Sequence, residues 1–326
     1  MPLISVIVPV YNAGTYLEPC LASIAAQTHP ELQVLLVDNA SADSSSEVCM
    51  QFCRKDPRFV YLPQQSNLGA AGARGVGVAH AEGDYISFVD GDDLIHPQML
   101  ETLLRAAEES GQPVSCCRFA PFAADGTPEN GPVPGTWQAM EAPGPLQALL
   151  QDKRVDYSLC NKLYARSLLT PEQFDTEVRY NEDLLINWLA LQSTSGLAFV
   201  DFVGYHYRQH PASSSHRPMQ PAFITDQAKV ARTILQQAQG TALEAIAQAF
   251  AYEKLLYLYS MILRQSNAAD FEPLRRPLLK QIRSGLGAGL RCPALGSKMK
   301  LIALATSWGG PVYAWACRKL LTDRQS

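Results

Sequence analysis

The 326-residue chain is 47% hydrophobic and 18% charged, which is enough apolar material for one large domain plus an extension. Its formal net charge of -4, without a long Lys/Arg-rich run, argues against nucleic acid as a partner. Eight cysteines (Cys20, Cys49, Cys53, Cys116, Cys117, Cys160, Cys292 and Cys317) lack paired CxxC spacing and mostly sit among apolar neighbours, so core thiols are expected rather than disulfides or zinc.

The first apolar run, residues 4–10, has no basic flank and carries Pro9, so it reads as a strand and not as a signal peptide. Residues 33–37, 59–62, 85–89 and 113–117 read as further strands, rich in Val and Ile. Between them, residues 15–27, 44–54, 70–81 and 97–109 have the pattern of amphipathic helices. Such alternation predicts an α/β fold, a mostly parallel central sheet with flanking helices. Residues 120–145 are rich in Pro and Gly and read as a long loop. From about residue 221 the texture turns Ala-, Leu- and Gln-rich, which predicts a helical C-terminal extension. The domain boundary is placed at 215/216. No stretch reaches the roughly 18 to 20 apolar residues a spanning helix needs, so a cytoplasmic location is expected.

The chemistry stands at the strand ends. The sequence FVDGDD, residues 88–93, crowds three carboxylates into four positions after an apolar run. A helix cap would account for one of them, Asp92 or Asp93, ahead of a helix beginning near Pro97. Three together repel one another unless a cation is expected, so Asp90 and Asp92 are candidate oxygen ligands for Mg²⁺ or Mn²⁺. Asp38, at the end of the second strand, can accept from a base N–H or a ribose hydroxyl. Gly69 and Gly72 allow close backbone approach to a ligand, and Arg74 can pair with phosphate. Ligands of parallel sheets bind at this edge. The dinucleotide fingerprint and the P-loop are both absent: GARGVG has its glycines in the wrong order, and no GxxxxGK[ST] occurs.

The set PVYN, VDNASAD, NLGAAGARG and FVDGDD resembles the family 2 glycosyltransferases of the GT-A fold, and CNKLYARSLL, RYNEDLLINWLAL and YHYRQHPASSS extend the likeness over roughly residues 1–215. The resemblance implies that Pro9, Tyr11, Asn12, Asp38, Asn67, Gly69, Arg74, Asp90, Gly91 and Arg208 surround a nucleotide-sugar donor. Asp90, Asp92 and the late His210 would hold the metal, with Asp93 a further candidate. Asp183, in the NED of residues 181–183, would be the base that takes the acceptor proton. The same residues also fit a plain helix start, with Asn181 as cap and the acids favourable to the dipole. One departure stands out: Asn39 and Ala40 occupy positions where the family usually has Asp and Gly.

The family implies a single-addition, inverting transferase, since the QxxRW motif of processive members is missing. Its partners would be a nucleotide sugar, a UDP-sugar by expectation, and a saccharide or lipid-linked saccharide acceptor of surface polysaccharide assembly. The alternative is a nucleotide-sugar-binding protein without catalysis. A nucleotidyltransferase would need a basic glycine-rich loop after the first strand, which PVYNAGTYL lacks. Trp188, Phe202 and Tyr205 read as core more readily than as sugar platforms. Lys162 reads equally as an acceptor contact or a solvated side chain. Residues 291–326 carry Arg291, Lys298, Lys300, Arg318, Lys319 and Arg324 against Asp323, around Leu301, Trp308 and Trp315. That basic amphipathic composition suits either an anionic membrane surface or packing on the catalytic domain.

Overall fold

The computed structural model describes residues 1–151, 154–174, 177–210, 219–264 and 268–308, in two units, Met1–Arg217 and Pro218–Ser326. The strands of the first unit are β1 (Ile4–Val10), β2 (Leu32–Asp38), β3 (Phe59–Pro63), β4 (Tyr85–Phe88), β5 (Leu94–Ile95), β6 (Val114–Ala123), β7 (Gln138–Glu141), β8 (Lys162–Ala165) and β9 (Gly196–Gln209). Its helices are α1 (Gly14–Ala25), α2 (Ser45–Lys55), α3 (Gly69–His80), α4 (Met99–Ser110), α5 (Gly144–Leu150) and α6 (Glu182–Gln192).

The sheet runs β3-β2-β1-β4-β8-β6-β9-β5, with β7 added beside β9. Strands β1, β2, β3 and β4 are mutually parallel. Strand β8 is antiparallel to both β4 and β6, so β6 runs with β4, and β9 is parallel to β6. The mostly parallel sheet expected from the alternation is present, with β5, β7 and β8 running against it. Ile4, Val6, Ile7 and Val8 are fully buried, as a central strand covered on both faces requires. Each such side chain contributes roughly 1.5 to 3 kcal/mol on burial.

Two local features set α3 against this strand. A Cβ on Gly77 would lie 2.3 Å from Ile7 Cγ2, so only glycine lets α3 come this close to β1. A Cβ on Gly75 would meet Phe174 Cβ at 2.8 Å. A Cβ on Gly72 would meet Leu68 Cβ at 2.7 Å, so this position too leaves little room for a side chain.

Two sequence expectations are corrected here. Residues 120–145 are not one loop: β6 continues to Ala123, β7 pairs with the start of β9, and α5 begins at Gly144. Neither Asp92 nor Asp93 caps the fourth helix, since Gln98 stands at its N-cap and α4 starts at Met99. The thiols follow expectation: Cys20, Cys49, Cys116, Cys117, Cys160 and Cys292 are buried and free, with Cys53 half-buried and Cys317 outside the described residues.

The regular structure described in the second unit is all helical, with α7 (Pro221–Ala238), α8 (Glu244–Leu263), α9 (Ala268–Arg291) and α10 (Ser297–Trp308). Its core gathers Leu256, Leu258, Phe271, Ile282, Leu295 and Ile302. Among the described residues no helix is long and apolar enough to cross a membrane.

Candidate active site

Strands β1, β2, β4 and β9 bring polar residues together at their carboxyl ends. Val10 lies opposite Asp38 in the register, which sets the two loops that follow side by side. After Pro9, Tyr11 is half-exposed and Asn12 takes a left-handed conformation with φ of 50°. Asn12 Oδ1 accepts from Ala42 N at 2.8 Å, and Asn12 N donates to Ser41 Oγ at 3.1 Å, tying the β1 loop to the β2 loop.

Asp38 is 3% exposed, and protein groups meet both its oxygens. Oδ1 accepts from Ser41 N at 3.0 Å, while Oδ2 accepts from Ser46 Oγ and Tyr61 OH, each at 2.7 Å. Burial works to raise its pKa, but the hydrogen bonds from Ser41, Tyr61 and Ser46 together hold it below the ordinary value. Asn39, where the sequence departs from the family pattern, links this edge to α3. Its Nδ2 donates to Asn67 Oδ1 at 2.9 Å, and its Oδ1 accepts from Leu68 N at 2.8 Å. Asn67 Oδ1 also accepts from Gly69 N at 2.8 Å. Gly69 has φ of +77° and open space around it, so glycine is needed here for the turn.

The carboxylates of FVDGDD divide into three roles. Asp90 Oδ1 accepts from Arg74 NH2 at 2.7 Å. Arg74 NH1 donates to Asp183 Oδ1 at 2.9 Å, so one buried guanidinium spans the end of β4 and the first turn of α6. Arg74, expected to meet phosphate, is thus engaged with two carboxylates. Asp92 Oδ2 lies 2.9 Å from His210 Nε2, the pair expected to share a metal. Burial, and then the Asp90 charge, raise the pKa of Asp92. Asp93 is held from inside the fold, with Oδ2 accepting from Tyr205 OH at 2.6 Å and Oδ1 from Arg208 N at 2.7 Å. Burial, followed by Asp90 and Asp92, pushes its pKa up to about 8. A Cβ on Gly91 would sit 3.4 Å from both Leu17 and the Pro9 carbonyl, an ordinary contact, so packing alone does not demand glycine here.

Arg208, expected to reach a diphosphate, donates from Nε to the Asp92 carbonyl at 2.8 Å and from NH1 to the Ala124 carbonyl at 2.7 Å. Its guanidinium lies between the rings of Tyr16 and Phe122, at 4.9 and 4.5 Å from their centroids. The Tyr16 ring also lies against His210, tilted by 41° with the ring centroids 4.6 Å apart. Tyr16 and Phe122 carry no motif, and nothing in their own sequence neighbourhood marks them as site residues.

On the opposite side, Asp183 is partly exposed at the start of α6. Burial raises its pKa, Arg74 works against that shift, and Asp90 adds to it. Burial and the adjacent Asp183 raise Glu182 to about 7. Asn181 stands at the N-cap with φ of 70° but makes no side-chain cap, and its Nδ2 is buried without a hydrogen-bond partner. Lys162 is neither solvated nor open to an acceptor. It is fully buried, with Nζ donating to Asp156 O, Asn161 Oδ1 and the Ser158 carbonyl. Trp188, Phe202 and Tyr205 lie in the core, as expected.

The donor set suits a hard divalent cation only in part. Among the described residues no three His, Cys, Asp or Glu side chains stand together as a metal site, and Asp90 turns to Arg74 instead of Asp92. Asp92 and His210 are adjacent, however, and His210 Nδ1 is buried without a partner. A Mg²⁺-type ion needs only one or two protein ligands when phosphate oxygens supply the rest.

A twisted, mostly parallel sheet with carboxylates at the end of β4 and an acid at the mouth of α6 is the GT-A architecture of nucleotide-sugar transferases. The structure of Staphylococcus aureus TarS residues 1–349 in complex with UDP-GlcNAc matches 97% of this chain and 89% of that one, with a TM-score of 0.70 at 22% identity. The mannosyltransferase PcManGT from Pyrobaculum calidifontis, solved with GDP-Man and Mn²⁺, matches 99% of this chain and 88% of its own at a TM-score of 0.52 and 17% identity. The model of glycosyl transferase family 2 matches residues 5–170, and the chain belongs to that family. EpsH of Bacillus subtilis is 30% identical over 226 residues, 68% of this chain and 65% of EpsH. The chain therefore spans a little under two thirds of that relative's length.

Proposed function

We propose that this protein transfers a glycosyl group, with inversion, from a UDP-sugar to a hydroxyl of a saccharide or lipid-linked saccharide in surface polysaccharide assembly. One observation carries the reading: Asp90, Asp92 and His210 stand at the carboxyl ends of β4 and β9, while Asp183 faces Asp90 across a single guanidinium. The acceptor oxygen forms the new bond to the anomeric carbon as the bond from that carbon to the diphosphate oxygen breaks. Its proton passes to Asp183, and the nucleoside diphosphate leaves. Asp92 and His210, with Asp90, would hold Mg²⁺ or Mn²⁺, which offsets charge on the leaving diphosphate. Burial raises the pKa of Asp183 against the opposing pull of Arg74, which makes it a stronger base than an ordinary aspartate. TarS, solved with UDP-GlcNAc, supports a uridine nucleotide.

Thermal stabilisation by a panel of nucleoside diphosphates and their sugars, with Mn²⁺ present, tests the donor. The uridine compounds should stabilise most, by roughly 2.7 kcal/mol at 100 times the dissociation constant. Greater stabilisation by guanosine or thymidine compounds would reject UDP.

A peripheral contact with the inner face of an anionic membrane belongs to the same reading. On α10, Leu301 and Trp308 are seven residues apart and 67% and 85% exposed, while Ile302 and Ala303 turn inward. Exposed Lys298 lies on the same face, three residues before Leu301. Arg291 is exposed and Lys300 half-buried, while Trp315, Arg318, Lys319 and Arg324 lie outside the described residues. The double variant Leu301→Gln/Trp308→Ala should bind phosphatidylglycerol vesicles at least several-fold more weakly in cosedimentation. Unchanged binding would reject α10 as the contact.

A further inference from the structure

We infer that Arg74 is a positioning residue that fixes the base relative to the donor carboxylates, and that it does not itself contact the diphosphate. The inference rests on Asp183 being the base. Arg74 lies on α3, whose position is set by the contact of Gly77 with Ile7 and of Gly75 with Phe174. From there its side chain, 4% exposed, reaches two carboxylates that are remote in sequence. NH2 is 2.7 Å from Asp90, sixteen residues away, and NH1 is 2.9 Å from Asp183, one hundred and nine residues away. Glu182 is a third acid, 4.0 Å from NH1.

The planar fork explains why arginine stands here. Two terminal nitrogens diverging from one carbon can hold two carboxylates at a fixed separation, whereas a lysine ammonium is a single point charge. Without the guanidinium, Asp90, Glu182 and Asp183 would be left repelling one another in a partly buried space. The first turn of α6 would then lose its tie to the end of β4. Its two outer nitrogens already hold carboxylates and its Nε, without a partner, is buried, so at 4% exposure the side chain would have to be uncovered before a phosphate could reach it. The geometry therefore has Arg74 acting through Asp183 and Asp90.

The test is a kinetic cycle of Arg74→Lys, Asp183→Asn and the double variant, joined to calorimetry with UDP and UMP in chelator. Circular dichroism melts check folding. Arg74→Gln removes the charge, and Arg74→Lys keeps the cycle usable if the glutamine variant does not fold. Arg74→Lys should lower kcat at least about tenfold and change the donor KM less than about threefold. In the Asp183→Asn background the same substitution should cost less than about twofold, because the base it positions is already lost. UDP and UMP should lose affinity by similar factors. An equal cost of Arg74→Lys in both backgrounds, or a loss confined to UDP, would overturn the proposal. If Asp183→Asn transfers at the parental rate, the base assignment falls and this inference falls with it. Additivity overturns the inference alone.

Discussion

Asp183→Asn should bind nucleotide sugar nearly as well as the parent, yet transfer the sugar at least roughly a hundredfold slower, the loss typical of removing a positioned general base. The amide keeps the size of the carboxylate and can still accept from Arg74 NH1, so the link to α3 is retained while basicity is removed. The pH profile gives a second readout. Only the ionised form can take a proton, so the parental rate falls as pH drops through the folded-state pKa. Burial raises that pKa, which places the acid limb above the ordinary aspartate value of about 3.9. The limb should vanish in Asp183→Asn. Glu182→Gln should be milder, because Glu182 lies 4.0 Å from Arg74 and touches the guanidinium only at its edge. Near-parental transfer by Asp183→Asn would place the base elsewhere. Loss of donor binding in the same variant would make the residue structural.

Asp92→Ala should abolish the part of UDP affinity that depends on divalent cation while leaving the fold intact. The loss should exceed the roughly 10- to 100-fold typical of removing a residue that merely supports a metal ligand. The fold should persist because internal ties of this segment pass through Asp93 to Tyr205 and Arg208, and through the Asp92 carbonyl to Arg208 Nε. Alanine retains that carbonyl. Calorimetry with Mn²⁺ and then with chelator reads the difference, and an unchanged ratio of the two affinities would remove Asp92 from the metal site.

The first half of the fold was legible because its strands and helices are local patterns. The short apolar runs and the period-3.6 patterns between residues 4 and 117 announce themselves, and each helix begins within two residues of its expected start. What escaped was whatever depends on a distant partner. Strand β7 is four residues long, and its largely exposed Gln138-Ala139-Met140-Glu141 becomes a strand by pairing with residues 196–199. Strand β8 gains its place between β4 and β6 from register, with Ile86 opposite Tyr164 and Val114 opposite the same tyrosine.

The candidate site divides the same way. Its carboxylates and glycines could be marked from the sequence, but their partners could not. Whether Arg74 meets a phosphate or two acids is decided by where α6 starts, more than a hundred residues later. Lys162 reads from the sequence equally as an acceptor contact or a solvated side chain, and it is neither, because the turn of residues 156–161 closes over its ammonium. Asp93 looked like a third ligand until Tyr205 and the Arg208 backbone met it. The crowding in FVDGDD thus resolves into three separate partners: Arg74 for Asp90, His210 for Asp92 and a buried tie to β9 for Asp93.

Crystals grown with UDP and Mn²⁺, measured at a wavelength where manganese scatters anomalously, would locate the metal in a single experiment. The account predicts one strong anomalous peak in contact with the Asp92 carboxylate, the His210 ring and the diphosphate, with UDP lying across the ends of β1 and β4. UDP bound at those strand ends with no such peak, or with manganese held away from Asp92 and His210, would contradict it.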